Sequence, residues 1–410
     1  FYKEANGGQK IYMLKFYYKY KEVFKDIFLN LVSNILLMVF IQLAAFPYIA
    51  KIVNDIQFGQ IIALYGINNA IILFLGNSLN NLRLLNQDKG YDFRFLELFV
   101  LVLSTVLMSL FGYLYGTSLD ILTVITFVLF TIMANVRAYA TVYYRIRLQY
   151  KNILYLNLFI LIGSIIGFLF TMFTNFWSSI FLFGEIAGIV YQVKSKNNVF
   201  LKSIKIEKVS FSKKIFTQFL SLSGSNGLSS IFNYLDRFII APLLGASSMG
   251  VFYAASSVSK IITMVIMPMS NVMLSYISVD RRTVTKKMLM LIFIISTVTS
   301  IPLYYVLNIV SKFLTNILYP NYSLYAMKLI PIVTIGILAN IIFNIINPFI
   351  LKKYSIHFQF IIQFTYGSIY FILALYLGTK YGITGFTIAY TFSLIIKLSI
   401  QFLIIILNKK

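Results

Sequence analysis

The sequence has no cysteine and a single histidine, His357. Without cysteine the chain can form neither a disulfide nor a thiolate metal site, and one histidine cannot build a histidine-cluster metal site. The sequence also has no glycine-rich phosphate-binding loop, which argues against ATP as the direct energy source. No loop is both long enough for a catalytic site and equipped with paired carboxylates, so an enzyme is not indicated.

Charged residues are scarce, at 11% of 410 residues, while 59% of the residues are hydrophobic. This is too little charge to cover a soluble protein of this length. Long apolar runs separated by short polar breaks are typical of helices that cross a membrane many times. We therefore predict an all-α polytopic membrane protein with twelve transmembrane helices. The predicted spans are 27–50, 57–80, 94–116, 119–140, 152–173, 175–192, 215–244, 248–278, 288–310, 325–350, 357–378 and 383–407.

Lysine and arginine alternate between dense and sparse loops along the chain. One side of the predicted bundle carries 28 of the 35, the other carries four, and three lie within spans. Because positive residues are retained in the cytoplasm, this bias predicts that both termini are cytoplasmic, and it supports the even number of spans. The net charge of +23 is then explained by topology and by contact with anionic lipids, and nucleic acid is not an expected partner.

An internal repeat indicates two related halves. At a constant offset of 191 residues, the second half repeats four residues of the first in equivalent spans. The matches are Ala50 with Ala241, Gly59 with Gly250, Ala63 with Ala254 and Asn80 with Asn271. Two parallel lobes of six spans each form a common transporter plan, in which the substrate is held between the lobes.

The predicted domain organisation follows from the spans and the repeat. Residues 1–26 form a cytoplasmic segment, of which residues 1–12 are expected to be non-native because Met13 is a plausible start. The first lobe covers residues 27–192 and the second covers residues 215–408. The basic stretch 193–214 is predicted to link them in the cytoplasm.

The seventh span carries a continuous polar stripe. Its members recur at alternating spacings of three and four residues, so they share one face of a helix. They are Ser223, Asn226, Ser230, Asn233 and Arg237. Asp236 is expected to point about 100° away from Arg237, so these neighbours are not predicted to form an ion pair.

Other spans carry polar residues that could face the same cavity. The eighth span has a stripe that includes Lys260, and a charge at mid-bilayer costs about 2.5–3.5 kcal/mol even on the lenient insertion scale. We therefore predict that Lys260 and Arg237 line a wet cavity with a group of asparagines. The alternative for each asparagine is a hydrogen bond between helices. The predicted asparagine lining is Asn226, Asn233, Asn69, Asn271 and Asn344.

Two intramembrane acids are candidates for ion coupling. Glu185 lies in the middle of the sixth span, where it could exchange a proton or bind a cation, and Asp236 is the second candidate. Alternatively, Glu185 is a buried structural carboxylate or the partner of Arg237. Of the remaining cations, Lys397 is expected to extend to the cytoplasmic surface and Arg137 to lie at the membrane interface.

Two segments resemble one transporter family. "FPYIAKIVNDIQFGQIIALYG" near the start and "YLDRFIIAPLLGASSMGVFYAASSVSKI" in the second half resemble the polysaccharide flippases of the multidrug/oligosaccharidyl-lipid/polysaccharide (MOP) exporter superfamily. The resemblance implies a MATE-like fold of two pseudo-symmetric lobes. It also implies a flippase that moves undecaprenyl-pyrophosphate-linked repeat units of a capsule or other surface polysaccharide to the outer leaflet.

The resemblance further implies alternating access coupled to H⁺ or Na⁺, no other cofactor, and a cationic central cavity to which Arg237 and Lys260 contribute. Membrane lipids and other membrane proteins of polysaccharide assembly are its implied partners. Three alternatives remain open. They are a multidrug antiporter of the same superfamily, a polysaccharide polymerase or polytopic glycosyltransferase, and a passive structural membrane protein, which would not need intramembrane charge.

Overall fold

The structure is a computed structural model that describes residues 28, 31–32, 34–86, 92–147, 149–195, 212–279, 284–354 and 357–407. Over these residues all regular secondary structure is helical, with no strands. The chain folds into two lobes of six helices each. Most of the predicted linker, His357's side chain and both chain termini lie outside the described parts.

The first lobe contains six helices joined by short turns. Helix α2 (Asp55–Leu85) begins with a capping box in which the Asn54 side chain accepts from the Gln57 backbone, and it contains one π-helical segment at Ile72–Gly76. Helix α5 (Tyr150–Thr174) ends at Asn175, whose left-handed conformation (φ 57°) reverses the chain. The helices are α1 (Asn34–Ile52), α2 (Asp55–Leu85), α3 (Arg94–Tyr115), α4 (Ile121–Ile146), α5 (Tyr150–Thr174) and α6 (Ser179–Lys194).

The second lobe differs from the sequence prediction in one span. The predicted span 215–244 is broken at Tyr234 (φ −113°, ψ 18°), which separates α7a (Lys213–Asn233) from α7b (Leu235–Leu244). Gly382, with φ 61° and ψ −145°, divides the helix His357–Leu407 into α11 (357–381) and α12 (383–407). The other elements are α7a (Lys213–Asn233), α7b (Leu235–Leu244), α8 (Ala246–Val279), α9 (Lys286–Leu318) and α10 (Pro320–Lys353).

The outward faces of the bundle are apolar. By length and composition, eight helical segments in the described residues could cross a membrane, and the last of these is long enough to include both α11 and α12. Large side chains such as Val298 and Phe313 on α9 and Phe173 on α5 are exposed. A surface of this kind is stable against lipid and not against water, which makes the protein a multi-pass membrane protein.

The two ends of the bundle can be named by their sequence. We call the end that holds residues 53–54, 116–120, 175–178, 245 and 382 the lysine-poor end, and the opposite end the lysine-rich end. At the lysine-poor end the lobes are in close contact through aromatic rings. Phe58 of α2 packs against Tyr253, Tyr319 and Tyr322 of the second lobe, with ring centroids 5.3–6.1 Å apart.

The repeated glycines explain this close approach. A Cβ on Gly59 of α2 would lie 1.6 Å from the carbonyl oxygen of Ala246 at the start of α8. A Cβ on the matching Gly250 of α8 would lie 3.1 Å from the ring of Phe58 in α2. The two glycines thus occupy corresponding positions on opposite sides of the contact between the lobes, as a pseudo-symmetric pair of lobes requires.

Contacts between the lobes continue toward the lysine-rich end along α2 and α7a. The Asn226 side chain donates to the hydroxyl of Ser78 (2.8 Å), and Asn86 donates to Gln218 (3.4 Å). The ring of Phe99 from α3 packs on Phe216, 5.6 Å between centroids. The lobes therefore touch at several points along α2 and α7, and an apolar cavity of about 530 Å³ lies between α2, α3 and α7.

Candidate functional site

A charged cluster lies inside the second lobe, centred on Asp236. This carboxylate accepts hydrogen bonds from the guanidinium of Arg237 (2.8 Å) and from the ammonium of Lys260 (2.9 Å). Its other oxygen accepts from the Arg237 backbone N–H at 3.0 Å. Asp236 and Arg237 are 4% and 7% exposed, so the interactions are screened little by water.

The ion pair between Asp236 and Arg237 corrects the sequence prediction, which excluded it. That prediction assumed one continuous helix, on which adjacent side chains diverge. The break at Tyr234 places Asp236 in the first turn of α7b, where its carboxylate lies beside the backbone N–H of Arg237. The long arginine side chain is then able to reach back to the same carboxylate.

A cavity of about 70 Å³ adjoins this cluster within the second lobe. It has room for a few water-sized groups and not for a sugar. Its walls combine cations, one carboxylate, amides and tyrosines from five helices. The lining residues are Phe232, Asn233, Asp236, Lys260, Asn340, Tyr366, Tyr370, Tyr390, Leu394 and Lys397.

Lys397 lies in this cavity, and the expectation that it extends to the cytoplasmic surface is wrong. It is 6% exposed, and its ammonium is 3.3 Å from Asn340 Oδ1. The rings of Phe343 and Tyr366 lie 4.3 and 5.0 Å from it. Because α12 continues to Leu407, position 397 is roughly 15 Å from the end of the helix, which is too deep for a lysine to reach the surface.

The cluster has an excess of positive charge. Arg237, Lys260 and Lys397 face a single carboxylate, that of Asp236, among the side chains described here. Asp236 is shared by Arg237 and Lys260. Lys397 makes no ion pair with any described carboxylate, and its neighbours are an amide and two aromatic rings.

Arg237 also lies against the other lobe. A Cβ on Gly66 of α2 would come within 2.4 Å of the Arg237 side chain, so this glycine is what lets the arginine pass. Its guanidinium stacks 5.5 Å from the ring of Tyr253. Arg237 is therefore engaged at the contact between the lobes in this conformation, and Lys260 is the predicted cation that lines the cavity.

The predicted asparagines separate into distinct settings. Asn233 is exposed and lines the cavity. Asn226 instead binds Ser78 of α2, so it acts as a link between helices in this state. The part of the polar stripe at Asn226 thus faces the first lobe, while Asn233, next to the break at Tyr234, faces the cavity.

Of the other three predicted asparagines, two do not line the cavity, and the side chain of the third is not among those that the structure describes. Asn69 is half-buried and lies beside Tyr65 on α2. Asn344 is half-buried on α10, and its backbone oxygen accepts from Ser270 of α8 at 2.5 Å. The side chain of Asn271 is outside the described residues.

The first lobe contains a separate ion pair, between a half-buried arginine and a buried glutamate. The guanidinium of Arg137 on α4 meets the carboxylate of Glu185 on α6 through two hydrogen bonds, of 2.5 and 2.9 Å. The expectation that Arg137 lies at the interface is therefore wrong, as is the alternative in which Glu185 pairs with Arg237. The cause is tertiary, because α4 and α6 pack together and bring the two side chains face to face.

Three tyrosines of the cavity were not singled out by the sequence. Asn340, one helical turn before the predicted Asn344 on α10, lines the cavity, whereas Asn344 does not. Tyr366 and Tyr370 are four residues apart on α11, so they share a helix face, and Tyr390 joins them from α12. Tyrosine is common at both membrane interfaces, so this spacing gives only a weak signal in sequence.

The described residues contain no group of three or more histidine, cysteine, aspartate or glutamate side chains that could hold a metal ion. Only Asp236 contributes a carboxylate to the cavity, and two cations already occupy its oxygens. The chemistry of the donors thus suits an anion better than a metal, since ammonium and guanidinium groups donate hydrogen bonds and cannot accept them.

Comparison with known proteins shows the fold. No protein-family model matches the sequence, and no curated protein matches it. Among solved structures, the chain is similar to a multidrug resistance MATE family transporter of the MOP superfamily in an inward-facing conformation. The TM-score is 0.61 at 12% identity, and the match covers 92% of this chain and 94% of that one.

Two further structures have the same fold. The lipid II flippase MurJ in an inward closed conformation has a TM-score of 0.59 and 17% identity, covering 94% of this chain and 86% of that one. A MOP superfamily transporter from Pyrococcus furiosus, in which reverse polarity of the binding pocket suggests a different function, has a TM-score of 0.56 and 12% identity, covering 93% and 95%. The chain therefore has the fold of the MOP superfamily transporters and flippases, and its structural neighbours are not enzymes.

Proposed function

We propose that the protein is a flippase that carries undecaprenyl-pyrophosphate-linked oligosaccharide repeat units from the inner to the outer leaflet of a bacterial inner membrane. The observation that carries this proposal is the sign of the buried charge. Arg237, Lys260 and Lys397 outnumber Asp236 in the second lobe. An excess of buried positive charge attracts an anionic headgroup and repels a cationic drug.

The physical problem such a protein solves is the desolvation of the headgroup. A pyrophosphate loses its hydration at high cost in hydrocarbon, so it needs protein donors along its path. Lys260 and Arg237 are the proposed phosphate partners, because ammonium and guanidinium groups form strong charge-assisted hydrogen bonds with phosphate oxygens. Asn233 and the half-buried Asn69 offer amides to sugar hydroxyls, and the isoprenoid tail stays in lipid.

The conformation fits one state of an alternating-access cycle. The lobes are packed together at the lysine-poor end through Phe58 and its three tyrosine partners. In the predicted topology this end faces outward, so the outer gate is closed. Opening would separate α2 from α8 and release Arg237 from its position beside Gly66. H⁺ or Na⁺ is the proposed coupling ion, with Asp236 as the proposed coupling carboxylate because both cations of the cluster depend on it.

An ion-coupled multidrug antiporter is the second candidate. It is favoured by the likeness to the MATE family transporter. A site for cationic drugs would need uncompensated acids. However, Glu185 is neutralised by Arg137, and Asp236 is neutralised by Arg237 and Lys260.

Transport by purified protein in proteoliposomes distinguishes the two candidates. A fluorescent undecaprenyl-pyrophosphate glycan and the cationic dye ethidium are compared in the same vesicles under an H⁺ or Na⁺ gradient. We expect flipping of the lipid without efflux of the dye, and reduced flipping by Lys260→Gln. Dye efflux without lipid flipping would establish the antiporter instead. Lys312→Gln, on the lipid-facing α9, is the matched control and should flip normally.

A further inference from the structure

The cavity beside Lys397 contains more donors than acceptors: the Lys397 ammonium donates only to Asn340 Oδ1, at 3.3 Å. Lys397 is more than nine-tenths buried and makes no ion pair with a described carboxylate. The hydroxyl of Tyr370 is also buried, and it has no hydrogen-bond partner among the described side chains. Both residues line the same cavity, together with the ammonium of Lys260. Buried donors without acceptors are costly, so the site lacks an acceptor.

The excess of positive charge in the second lobe also favours the binding of an acceptor, in this case one with a negative charge. Asp236 can balance only one of its two cationic partners, and Lys397 adds a further positive charge within the same lobe. Two uncompensated charges at the depth of the bilayer are expensive, even where a few waters are present. A small anion would neutralise one of them and would leave the lobe cationic.

The size of the cavity limits which anion fits. Its volume of about 70 Å³ suits a monatomic ion with one or two waters, and it excludes a sugar or a pyrophosphate. The aromatic rings of Phe343 and Tyr366 beside Lys397 make the pocket weakly polar on that side. A monovalent ion that is dehydrated easily is favoured over phosphate in such surroundings.

We infer that the second lobe binds one chloride ion between Lys397, Lys260 and the hydroxyl of Tyr370. The ion accepts from the two ammonium groups and from the phenol, while the amide of Asn340 holds Lys397 in place. This site shares Lys260 with the proposed headgroup path, and chloride occupies it in the closed conformation, in which the cavity of about 70 Å³ is too small for the headgroup. Its occupancy does not depend on which lipid or drug the protein transports.

The test measures chloride binding by the purified full-length protein in detergent. The protein is exchanged into sodium gluconate and titrated with sodium chloride or sodium bromide at constant sodium concentration, and the midpoint of thermal unfolding is recorded. Because an ion that binds only the folded state stabilises it, we expect a saturable rise of at least about 2 °C. Gluconate is too large for the cavity, and constant sodium removes any effect of a cation site.

Two variants locate the ion. Lys397→Met keeps the length of the side chain without its charge, so it should abolish the rise with chloride. Tyr370→Phe removes a single donor and should weaken the chloride response several-fold while the protein folds normally. Lys380→Met is the matched control, because Lys380 is an exposed lysine of the same hairpin that also lies over a tyrosine ring. It should respond to chloride like the unchanged protein.

Three results would overturn the inference. The first is an unfolding midpoint of the unchanged protein that is equal in chloride and gluconate, which would mean that Lys397 is neutral or solvated. The second is an unaltered chloride response in Lys397→Met, which would place the ion elsewhere. If Lys397→Met does not fold, the Tyr370→Phe titration decides alone, and an unchanged chloride affinity there would contradict the site. None of these outcomes depends on lipid flipping, so the proposed function is tested separately.

Discussion

At the scale of single residues, the stability of the molecule depends on a small number of buried acids, each of which pairs with one or two cations. Asp236 holds both Arg237 and Lys260, and Glu185 holds Arg137. Removing one partner of a buried ion pair leaves an uncompensated charge, whereas replacing both partners by apolar groups is often neutral. Single and double substitutions are therefore expected to differ in stability, and this difference measures the contribution of each acid.

Glu185→Gln should destabilise the protein by about 3 kcal/mol, because it leaves Arg137 without its carboxylate in the first lobe. The double variant Glu185→Leu with Arg137→Met should recover most of the loss. Chemical unfolding of purified variants in detergent checks both statements. Arg147→Gln, which alters an exposed arginine at the lysine-rich end, should unfold normally. Full stability of Glu185→Gln together with lost transport would instead support a coupling role for Glu185.

Arg237→Lys should retain part of the flipping activity, because the charge that neutralises Asp236 remains while the planar guanidinium is lost. Arg237→Gln should lose more activity, by the roughly 1.5–3 kcal/mol typical of a hydrogen bond to a charged group. Asp236 keeps Lys260 as a partner in both variants, so membrane abundance should change little. Flipping rate and abundance are measured together. Normal flipping by well-expressed Arg237→Gln would exclude Arg237 from the headgroup path.

At the scale of helices, two breaks and a pair of glycines set the positions of the site. The break at Tyr234 begins α7b and brings Asp236 next to the backbone of Arg237. Gly382 turns α11 into α12, which lets Tyr370 and Tyr390 line one cavity. Gly59 allows α2 to contact the first turn of α8, so it controls closure at the lysine-poor end.

Gly59→Ala should therefore favour the conformation that is open at the lysine-poor end. The added methyl group would overlap the carbonyl of Ala246, and a backbone atom cannot move aside as a flexible side chain can. The natural chain has no cysteine, so a cysteine introduced at the buried Met249 reports opening by its rate of thiol labelling, which should rise several-fold. Gly224→Ala is the control, because a Cβ there meets nothing within 4 Å. Equal labelling rates in the two variants would show that the Gly59 contact does not limit opening.

At the scale of the whole molecule, two lobes meet along α2, α7 and α8, and the charge bias of the loops orients them. The closed contacts at the lysine-poor end and the repeated glycines are consistent with a transporter that opens alternately to each side. The side of the membrane on which each end lies follows from the sequence bias alone.

The topology is tested by labelling single cysteines with an impermeant reagent on intact cells. A cysteine at Ser203, in the basic stretch between the lobes, should be labelled only after the cells are broken. A cysteine at the exposed Ser118, at the lysine-poor end, should be labelled in intact cells. Reversal of the two results would invert the orientation and place the closed gate at the cytoplasmic side.

The sequence by itself determined the class of protein, because hydropathy and charge bias are properties of the order of residues and do not depend on contacts between helices. The helices α3 and α5 lie within about two residues of their predicted spans for this reason. The repeat also predicted two related lobes, since Gly59 and Gly250 could be matched without knowing what they touch.

Only the tertiary structure decided which charges meet. Arg137 and Glu185 are 48 residues apart, and no periodicity within either helix indicates that α4 packs against α6. Lys397 was expected to reach the surface until the packing of α10 and α11 placed Asn340 and Tyr366 beside its ammonium, and Asp236 pairs with its neighbour where the helix breaks at Tyr234. A pattern along one helix shows which face is polar, but the partner of that face is set by packing between helices, where desolvation favours the pairing of a buried charge with a counter-charge from another element.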